Sequence, residues 1–299
     1  MKNIAAARIL LLAAALAAGM EPASSAGAAA ETPAGEAAFH RVPELEAGYR
    51  FLYEQRFSEA RKAFNEWSEK NPGHPFGEVS TAAAYLFEEF YHQGVMTSDY
   101  FLDDEKFLKG ITGHPDAERL RAFRGALKRA RAMAGRLLDK NPRDPEALFA
   151  MTLAAGMESN ALSILEKKNI EGLRGLKEAN NYAERLLAVR PGAADAWLAL
   201  GSANYVIGCL PKTVRFFLWF GGYHGDRALG MQQLEKTASG GMYLQPYAKI
   251  LLALAALREG KEEVARRQLQ ELIRDYPQSP LFAAEYARVM ARPGSGLSR

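Results

Sequence analysis

Helix-ending prolines recur along this chain, and their spacing restricts the fold more than any other feature of the sequence. An alanine stands twelve residues before each proline, in the pairs Ala60 with Pro72, Ala130 with Pro142, Ala179 with Pro191, and Ala265 with Pro277. A leucine stands five residues before three of the prolines, and Trp67 takes that place in the first segment. A small residue lets two helices approach closely, and proline ends a helix. The pattern therefore predicts four similar helices, each packed against a preceding one.

The residues that would form the preceding helices stand at matching positions. Gly48 lies twelve residues before Ala60, and Gly260 marks the turn before the last such segment. After Pro191 comes A-W-L-A-L-G-S-A-N-Y, which has the aromatic and small residues of a first helix. With these features the chain resembles the tetratricopeptide-repeat (TPR) superfamily over about residues 42 to 290. The resemblance implies an all-α, irregular TPR-like solenoid without a sheet.

The intervals between the prolines predict insertions in this solenoid. The four prolines are 70, 49 and 86 residues apart, whereas an unbroken array would show multiples of about 34 residues. The first interval contains the insertion M-T-S-D-Y-F-L-D-D-E-K-F-L-K-G-I-T-G-H-P, and the third contains an aromatic stretch and an extra helix, about 226 to 239. We expect about ten helices in total.

The first thirty residues have the pattern of a secretory signal peptide. Lys2 and Arg8 accompany a short apolar run, and small residues follow it. Beyond this run, no apolar segment approaches the roughly 20 residues of a membrane-spanning helix. The sequence therefore predicts export, into the periplasm of a Gram-negative bacterium. The expected divisions are a signal peptide over 1–26, a disordered lead-in over 27–41, the repeat domain over 42–290 and a flexible tail over 291–299.

Composition and motifs argue against several classes of function. The 38 Lys and Arg and 35 Asp and Glu leave a net charge of only +3, which argues against a nucleic-acid partner. The single cysteine, Cys209, excludes an internal disulfide and is expected to be a buried small hydrophobe rather than a nucleophile. Glu89 and His92 have a spacing used in di-iron bundles, but it occurs once, so we expect an ordinary pair on a helix surface. No phosphate-binding loop or hydrolase motif occurs. We therefore predict no enzyme activity and no catalytic, metal-binding or cofactor-binding residues.

One predicted helix, about 116 to 140, carries a row of cationic side chains. These are Arg121, Arg124, Lys128 and Arg131. Such a row could bind an anion, an acidic partner tail or a lipid headgroup. The alternative is a solvated face that is balanced by nearby acids such as Asp103, Asp104 and Glu105.

The concave surface of a helical-repeat protein commonly binds a partner segment, and the first helix of each pair lines it. Aromatic and polar residues on the predicted first helices, together with three from the aromatic stretch, are therefore candidates for a partner or ligand surface. They are Tyr49, Tyr53, Tyr85, Glu88, Trp197, Asn204, Tyr205, Phe217, Trp219 and Phe220. The alternative is that most of them pack between neighbouring repeats.

The aromatic stretch around 214–220 permits three interpretations. It can be a wedge buried between repeats, an exposed apolar patch for a partner, or a contact with a membrane interface, since Lys212 and Arg215 flank the aromatic residues. A Leu-Pro start and a Gly-Gly turn make it a self-contained corner, and a buried wedge is the simplest interpretation.

The segment 201–252 has a second resemblance. L-P-K-T-V-R-F-F-L-W-F-G-G-Y-H-G-D-R-A-L-G-M-Q-Q-L is similar to part of the eukaryotic Iml2-type TPR family. There a Leu-Pro step, an apolar run and a glycine-rich turn lead into a helix of the array. That family is associated with mitochondrial outer membranes and with lipid-droplet-dependent clearance of protein inclusions, and no enzymatic activity is established for it. The resemblance implies a shared helical corner.

These features predict an exported scaffold or adaptor that binds a segment of a partner protein in the cell envelope without covalent chemistry. The alternative function is a periplasmic ligand-binding protein that serves a transporter. In that case aromatic residues of the insertions would line a pocket for a small apolar ligand. Peripheral contact with a membrane is a further possibility from the aromatic stretch.

Overall fold

The computed structural model describes residues 42–291, which form fourteen α-helices and no strand. The all-α prediction is therefore confirmed, while the predicted signal peptide and lead-in and most of the predicted tail lie outside the described residues. In chain order the helices are α1 (Pro43–Tyr53), α2 (Phe57–Lys70), α3 (Pro75–His92), α4 (Ser98–Leu102), α5 (Asp104–Lys109), α6 (Ala117–Lys140), α7 (Pro145–Asn160), α8 (Asn169–Val189), α9 (Trp197–Cys209), α10 (Lys212–Phe220), α11 (Arg227–Gly240), α12 (Gln245–Arg258), α13 (Glu262–Asp275) and α14 (Pro280–Met290). A π-helical turn, Ala161–Leu165, extends α7, and a 3-10 turn, Ala194–Ala196, precedes α9.

The long helices pack as five successive pairs. These are α1 with α2, α3 with α6, α7 with α8, α9 with α11, and α12 with α13, and α14 packs on the last pair. The helices α4 and α5 are inserted within the second pair, and α10 is inserted within the fourth. The proline interval of 86 residues therefore holds two helical pairs and one insertion.

Small residues mark the places where paired helices touch. The four repeating alanines, Ala60, Ala130, Ala179 and Ala265, are at most 1% exposed. Between α9 and α11 the contact is made by Gly201 and Gly230. A methyl group added at Gly201 would lie 2.8 Å from the backbone nitrogen of Leu234, and one at Gly230 would lie 2.6 Å from that of Tyr205. Only glycine permits the two backbones to approach so closely.

The segment Pro145–Leu165 is long and apolar enough to cross a membrane by length and composition. The expectation that no apolar run beyond the leader reaches a spanning length was therefore wrong. Within this fold the segment is a core helix, since it packs between α6 and α8. Its hydroxyl groups are used internally, with Thr152 donating to the Leu148 carbonyl and Ser159 donating to the Gly172 carbonyl.

The array of pairs curls until its first helix meets its last ones. The Tyr53 hydroxyl donates to the Tyr243 carbonyl at 2.8 Å, and Arg50 Nη1 donates to the Asp275 carbonyl at 3.1 Å. The insertion takes part in this closure, because the backbone nitrogen of Ser98 donates to Glu285 at 2.8 Å. The concave side of the array thereby becomes a cavity that is partly open to solvent.

Candidate functional site

Closure of the array leaves a cavity of about 330 Å³ on its concave side. Its wall is formed by the first helices of all five pairs, the π-helical turn, α8 and the inserted helices α4, α5 and α10. The lining is predominantly apolar, and its large side chains include Leu52, Phe87, Phe90, Met157, Leu198 and Ile250. Binding pockets for small molecules commonly have this size and polarity.

Tyr49, Phe87 and Tyr247 contribute aromatic rings to the cavity wall, where rings from distant parts of the chain meet. Tyr49 stacks on Tyr243 with ring centroids 5.0 Å apart, and Phe87 meets Tyr247 edge to face at 4.9 Å. The Tyr49 hydroxyl is hydrogen-bonded to Ser80 Oγ at 3.0 Å, so it is satisfied within the protein. Burial raises the pKa of Tyr247 to about 12. These tyrosines therefore serve the cavity as neutral, largely apolar rings.

The carboxylate of Asp195 also lies at the cavity, and its oxygens are occupied. Asp195 is 1% exposed and accepts hydrogen bonds from the backbone nitrogens of Met242 and Leu244, each at 2.8 Å. Burial raises the pKa of this carboxyl, and the backbone hydrogen bonds oppose that rise. Asp195 thus fastens the start of α9 to the loop before α12, and we assign it a structural role.

The other polar side chains of the cavity fall into two groups, those that are buried and those that are more exposed. The buried hydroxyls of Thr152 and Ser159 donate to backbone carbonyls, as described above. The polar groups near the rim are half-buried or exposed, and they are Asn160, Ser163, Asn169 and Ser202. An occupant would therefore meet mainly apolar surface inside the cavity, together with the buried and unpaired Tyr100 hydroxyl, and further polar groups at its edge.

Three residues of the predicted partner surface are buried. Tyr49, Tyr53 and Tyr205 are 6%, 2% and 2% exposed, so they pack inside the array, as in the alternative given above, and do not lie on an open surface. The reason is the closure of the array, which turns the concave face into an interior. All three nevertheless line the cavity, and the Tyr205 hydroxyl donates to the Ala255 carbonyl at 3.2 Å.

Four further residues of that predicted surface lie away from the cavity lining. Glu88 forms ion pairs with Arg61 and Arg119, and the Arg61 guanidinium lies 4.7 Å from the centre of the Tyr85 ring. The Lys236 ammonium group lies 3.6 Å above the Trp197 ring. Asn204 Nδ2 donates to Gln233 Oε1 at 2.8 Å. These side chains are engaged in contacts between helices.

The aromatic stretch forms α10, which has two different faces. Val214 and Leu218 are buried in a small cluster with Ile207 and Tyr223, and both line the cavity. The opposite face is uncovered, with Phe217 half-buried and with Phe216, Trp219 and Phe220 exposed by 60%, 58% and 59%. The buried-wedge interpretation was therefore wrong for these last three. A nine-residue helix on the edge of the array can bury only the side that faces the array.

Two of the four residues of the cationic row on α6 form ion pairs with acidic side chains. Arg131 forms ion pairs with Glu158 at 2.7 Å and Glu178 at 2.8 Å, and Arg124 pairs with Glu166. The balancing acids thus come from α7, the turn that follows it and α8, and Asp104 pairs instead with Arg258. Arg121 and Lys128 are exposed. A continuous four-residue anion site is absent.

The remaining candidates have structural roles. Glu89 is 2% exposed and its carboxylate is bound by Arg119 and Gln93, so it does not form a surface pair with the exposed His92. No group of three or more potential metal ligands occurs within residues 42–291. Cys209 is half-buried, and burial raises the pKa of its thiol. The thiol therefore stays protonated at neutral pH.

Sequence reasoning missed most of the cavity wall. Phe87, Leu176, Tyr247, Val214 and Leu218 all line it, and none was chosen as a site residue. The sequence did contain a signal for this wall. The helices α7, α9 and α12 are apolar nearly all round, as expected for helices that contact neighbours on one side and line an interior on the other.

Comparison with known proteins gives a family match in the C-terminal part of the chain. Residues 176–295 match the family described as Iml2/Tetratricopeptide repeat protein 39. No curated protein matches the sequence. A solved structure of a thermophilic TPR protein from Thermus thermophilus is similar with a TM-score of 0.45 and 15% identity, covering 83% of this chain and 98% of that one. Residues 176–295 are therefore similar to the Iml2/Tetratricopeptide repeat protein 39 family, and this match together with the paired helices supports a TPR-type protein.

Proposed function

We propose that this protein is an exported scaffold or adaptor that holds an apolar segment of a partner protein in the cavity of its closed helical array. The TPR-type fold supports interaction with proteins in general. The observation that carries the more specific proposal is the apolar cavity of about 330 Å³. Binding here requires no covalent chemistry, and TPR-type folds are typically non-catalytic scaffolds.

The packing lost in an empty cavity supports an occupant. Apolar side chains that face an unfilled space lack packing partners on that side. The large apolar residues of the lining are in this position where the cavity is empty. An apolar segment in the cavity would restore much of this packing.

The distribution of polar groups indicates how such a segment would lie. A peptide backbone buried without hydrogen-bond partners costs free energy. Thr152 and Ser159 already donate to backbone carbonyls, so the Tyr100 hydroxyl is the buried hydroxyl of the described lining that is left unpaired. We therefore infer that large apolar side chains enter the cavity while the backbone stays at the rim, near Asn160, Asn169 and Ser202.

The small number of unpaired polar groups in the lining favours one alternative, a small apolar ligand held by a protein that serves a transporter. Such a ligand has no backbone to satisfy and could sit wholly inside the cavity. The two candidates differ in the mass of the occupant, which makes them separable by experiment.

Export to the periplasm is part of the proposal, and it rests on the basic residues, the short apolar run and the small residues at the N-terminus. Fractionation of cells that express the full chain tests it. We expect the protein in the periplasmic fraction, with a mass that corresponds to cleavage near Ala26. An uncleaved protein in the cytoplasmic fraction would contradict this part.

Photo-cross-linking in cells tests the occupant. Val206 lines the cavity and is 36% exposed, so para-benzoylphenylalanine can replace it without burial of the larger ring. We expect a cross-link to one protein, with an apolar peptide of that protein as the attachment point in mass spectra. The same photoreactive residue at exposed Ala132 on α6 should not capture that protein.

A second substitution links the cross-link to the cavity. Ala199 lines the cavity and is half-buried, so Ala199→Trp should fill the space and abolish the cross-link. Ala284→Trp, at an exposed site on α14, should leave it unchanged. A small-molecule adduct at Val206, together with a matching bound mass in native mass spectra, would favour the ligand-binding alternative and contradict the adaptor.

A further inference from the structure

We propose that α10 docks this protein on an anionic lipid surface through its uncovered aromatic face. This inference goes beyond the proposed function and uses a different part of the molecule. The cavity could hold a partner segment whether or not α10 touches a bilayer, and α10 could touch a bilayer whether or not the cavity is filled.

The aromatic face is a compact and continuous surface. Phe216, Trp219 and Phe220 stand at positions i, i+3 and i+4 of the helix, which places them on one side. The rings of Phe216 and Phe220 meet edge to face at 5.2 Å, and those of Trp219 and Phe220 do so at the same distance. Among the side chains of residues 42–107 and 109–291, they are the three most exposed large apolar ones.

The charges around this face complement an anionic surface. Lys212 lies one helical turn before Phe216, and Arg215 lies one turn before Trp219. Arg174 and Lys177 on α8 lie near Tyr223, which packs beneath α10, and the Lys177 ammonium group is 5.4 Å from its ring. From 196 to 225 the chain contains no Asp or Glu.

The first acidic side chain after α10 already has a partner. Asp226 accepts a hydrogen bond from the backbone nitrogen of Leu229 at 2.9 Å, where it caps α11. Cationic side chains near a membrane are attracted by anionic headgroups. Aromatic rings that flank them are favoured at the depth of the headgroups. α10 combines both features on one side.

The corner is held in place before any contact is made. Arg215 Nη2 donates to the Gly225 carbonyl at 3.1 Å, and the backbone nitrogen of Tyr223 donates to the Leu218 carbonyl at 3.0 Å. Gly222 makes the turn with a φ of +74°, a conformation that glycine adopts without strain. Because the helix is already formed and anchored, docking requires little ordering of the chain.

A lipid surface fits this face better than a protein partner does. The centres of protein interfaces are depleted in lysine, whereas Lys212 shares the stripe of Phe216 and Phe220. In a bilayer its ammonium group can reach the headgroups while its aliphatic stem lies along the apolar region. A short helix with three inserted rings gives reversible binding that depends on anionic lipid.

Vesicle flotation of the purified protein tests the proposal. With vesicles of phosphatidylcholine and phosphatidylglycerol we expect co-flotation, a blue shift of Trp219 emission, and release as the salt concentration rises. Vesicles of phosphatidylcholine alone should bind the protein much less. Phe216→Ser combined with Phe220→Ser should weaken binding by at least about tenfold, because two rings lose their burial.

Two control variants distinguish docking through α10 from a loss of folding and from non-specific hydrophobic adsorption to vesicles. Leu229→Ser, at an exposed site outside α10, should leave flotation unchanged. Lys212→Glu should reduce binding to anionic vesicles without lowering the melting temperature. The proposal is overturned if the wild-type protein ignores anionic vesicles, if the serine variants float equally well, or if the aromatic face instead joins two copies into a dimer that the serine changes dissociate.

Discussion

At the residue scale, glycines at helix crossings determine how closely paired helices can pack. The crossing of α9 and α11 depends on Gly201 and Gly230, whose missing methyl groups let two backbones touch. The repeating alanines could be recognised because they recur at a fixed distance from proline. The two glycines could not be recognised in this way, because the partner of each glycine lies about thirty residues away and only the folded chain shows that pairing.

Substitution of Gly201 measures this close approach. In Gly201→Ala the added methyl group would lie 2.8 Å from the backbone nitrogen of Leu234. We expect a loss of about 1–3 kcal/mol in the free energy of unfolding, as for other overpacked sites. Urea denaturation provides the measurement. Gly135→Ala in α6 is the matched control, because nothing lies within 4 Å of the added atom and alanine favours a helix by up to about 1 kcal/mol.

The buried hydroxyl of Tyr100 provides a test of pH dependence. It has no hydrogen-bond partner among the described residues, and burial raises its pKa from 10.0 to about 12. Between pH 10 and pH 12 the unfolded chain releases this proton while the folded protein keeps it, so stability falls as the pH rises.

Removal of that hydroxyl should therefore have two effects. Tyr100→Phe should unfold at neutral pH with an unchanged or higher free energy, because an unpaired buried group is lost. Its stability should also fall less steeply than that of the wild type at alkaline pH. Tyr49→Phe, which loses the hydrogen bond to Ser80, should instead be less stable by about 1 kcal/mol at neutral pH. Denaturant titrations across this pH range measure the free energy of unfolding. If it falls equally steeply with pH in Tyr100→Phe and in the wild type, the Tyr100 hydroxyl does not have the raised pKa assigned to it.

At the element scale, the sequence predicted those helical pairs whose second helix is ended by a proline. It did not predict the fourth pair, α9 with α11, because no proline ends α11. The second helix of the fourth pair, α11, ends at Gly240 and is followed by another glycine. Its pairing with α9 was therefore hidden inside the long proline interval. The two faces of α10 were equally hidden, since an apolar run of this length does not show which side meets the array.

Removal of one buried side chain of α10 tests how independent this corner is. Leu218 belongs to a small cluster separate from the main core, so Leu218→Ala should loosen the corner alone. Hydrogen exchange should show lost protection over about 207–225 and unchanged protection in α2 and α3. Leu272→Ala in α13, which removes a fully buried side chain of the main core, should lower protection throughout and cost about 2–5 kcal/mol.

At the scale of the whole molecule, the decisive event is the meeting of helices about 190 to 225 residues apart in the chain. Repeat spacing specifies which helices pair, but the curvature of the array is the sum of small rotations between pairs. That sum is set by side-chain packing and by the two inserted helices. α4 packs against α12 and contacts α14, and Asp104 of α5 pairs with Arg258 of α12. The cavity exists only because the array closes, and for this reason its wall could not be derived from the spacing of motifs.

Closure predicts that the protein binds an apolar probe without any partner. The dye N-phenyl-1-naphthylamine fluoresces more strongly in apolar surroundings, and we expect it to occupy the cavity lined by Leu52, Phe87 and Tyr247. Because the dye would bind the folded state, it should also raise the melting temperature. At a concentration one hundred times its dissociation constant, the stabilisation is about 2.7 kcal/mol.

Filling the cavity should remove both effects of the dye. Ala199→Trp places a large ring in the cavity, so it should show neither the gain in fluorescence nor the thermal shift, and its own melting temperature should stay at or above that of the wild type. Ala284→Trp adds the same ring at an exposed site and should behave as the wild type. If dye binding survives in Ala199→Trp but disappears when Phe216 and Phe220 are changed to serine, the dye binds the outer face of α10 and not the cavity. That outcome would remove the physical basis of the proposed function, because an interior that excludes a small apolar dye could not receive the apolar side chains of a partner.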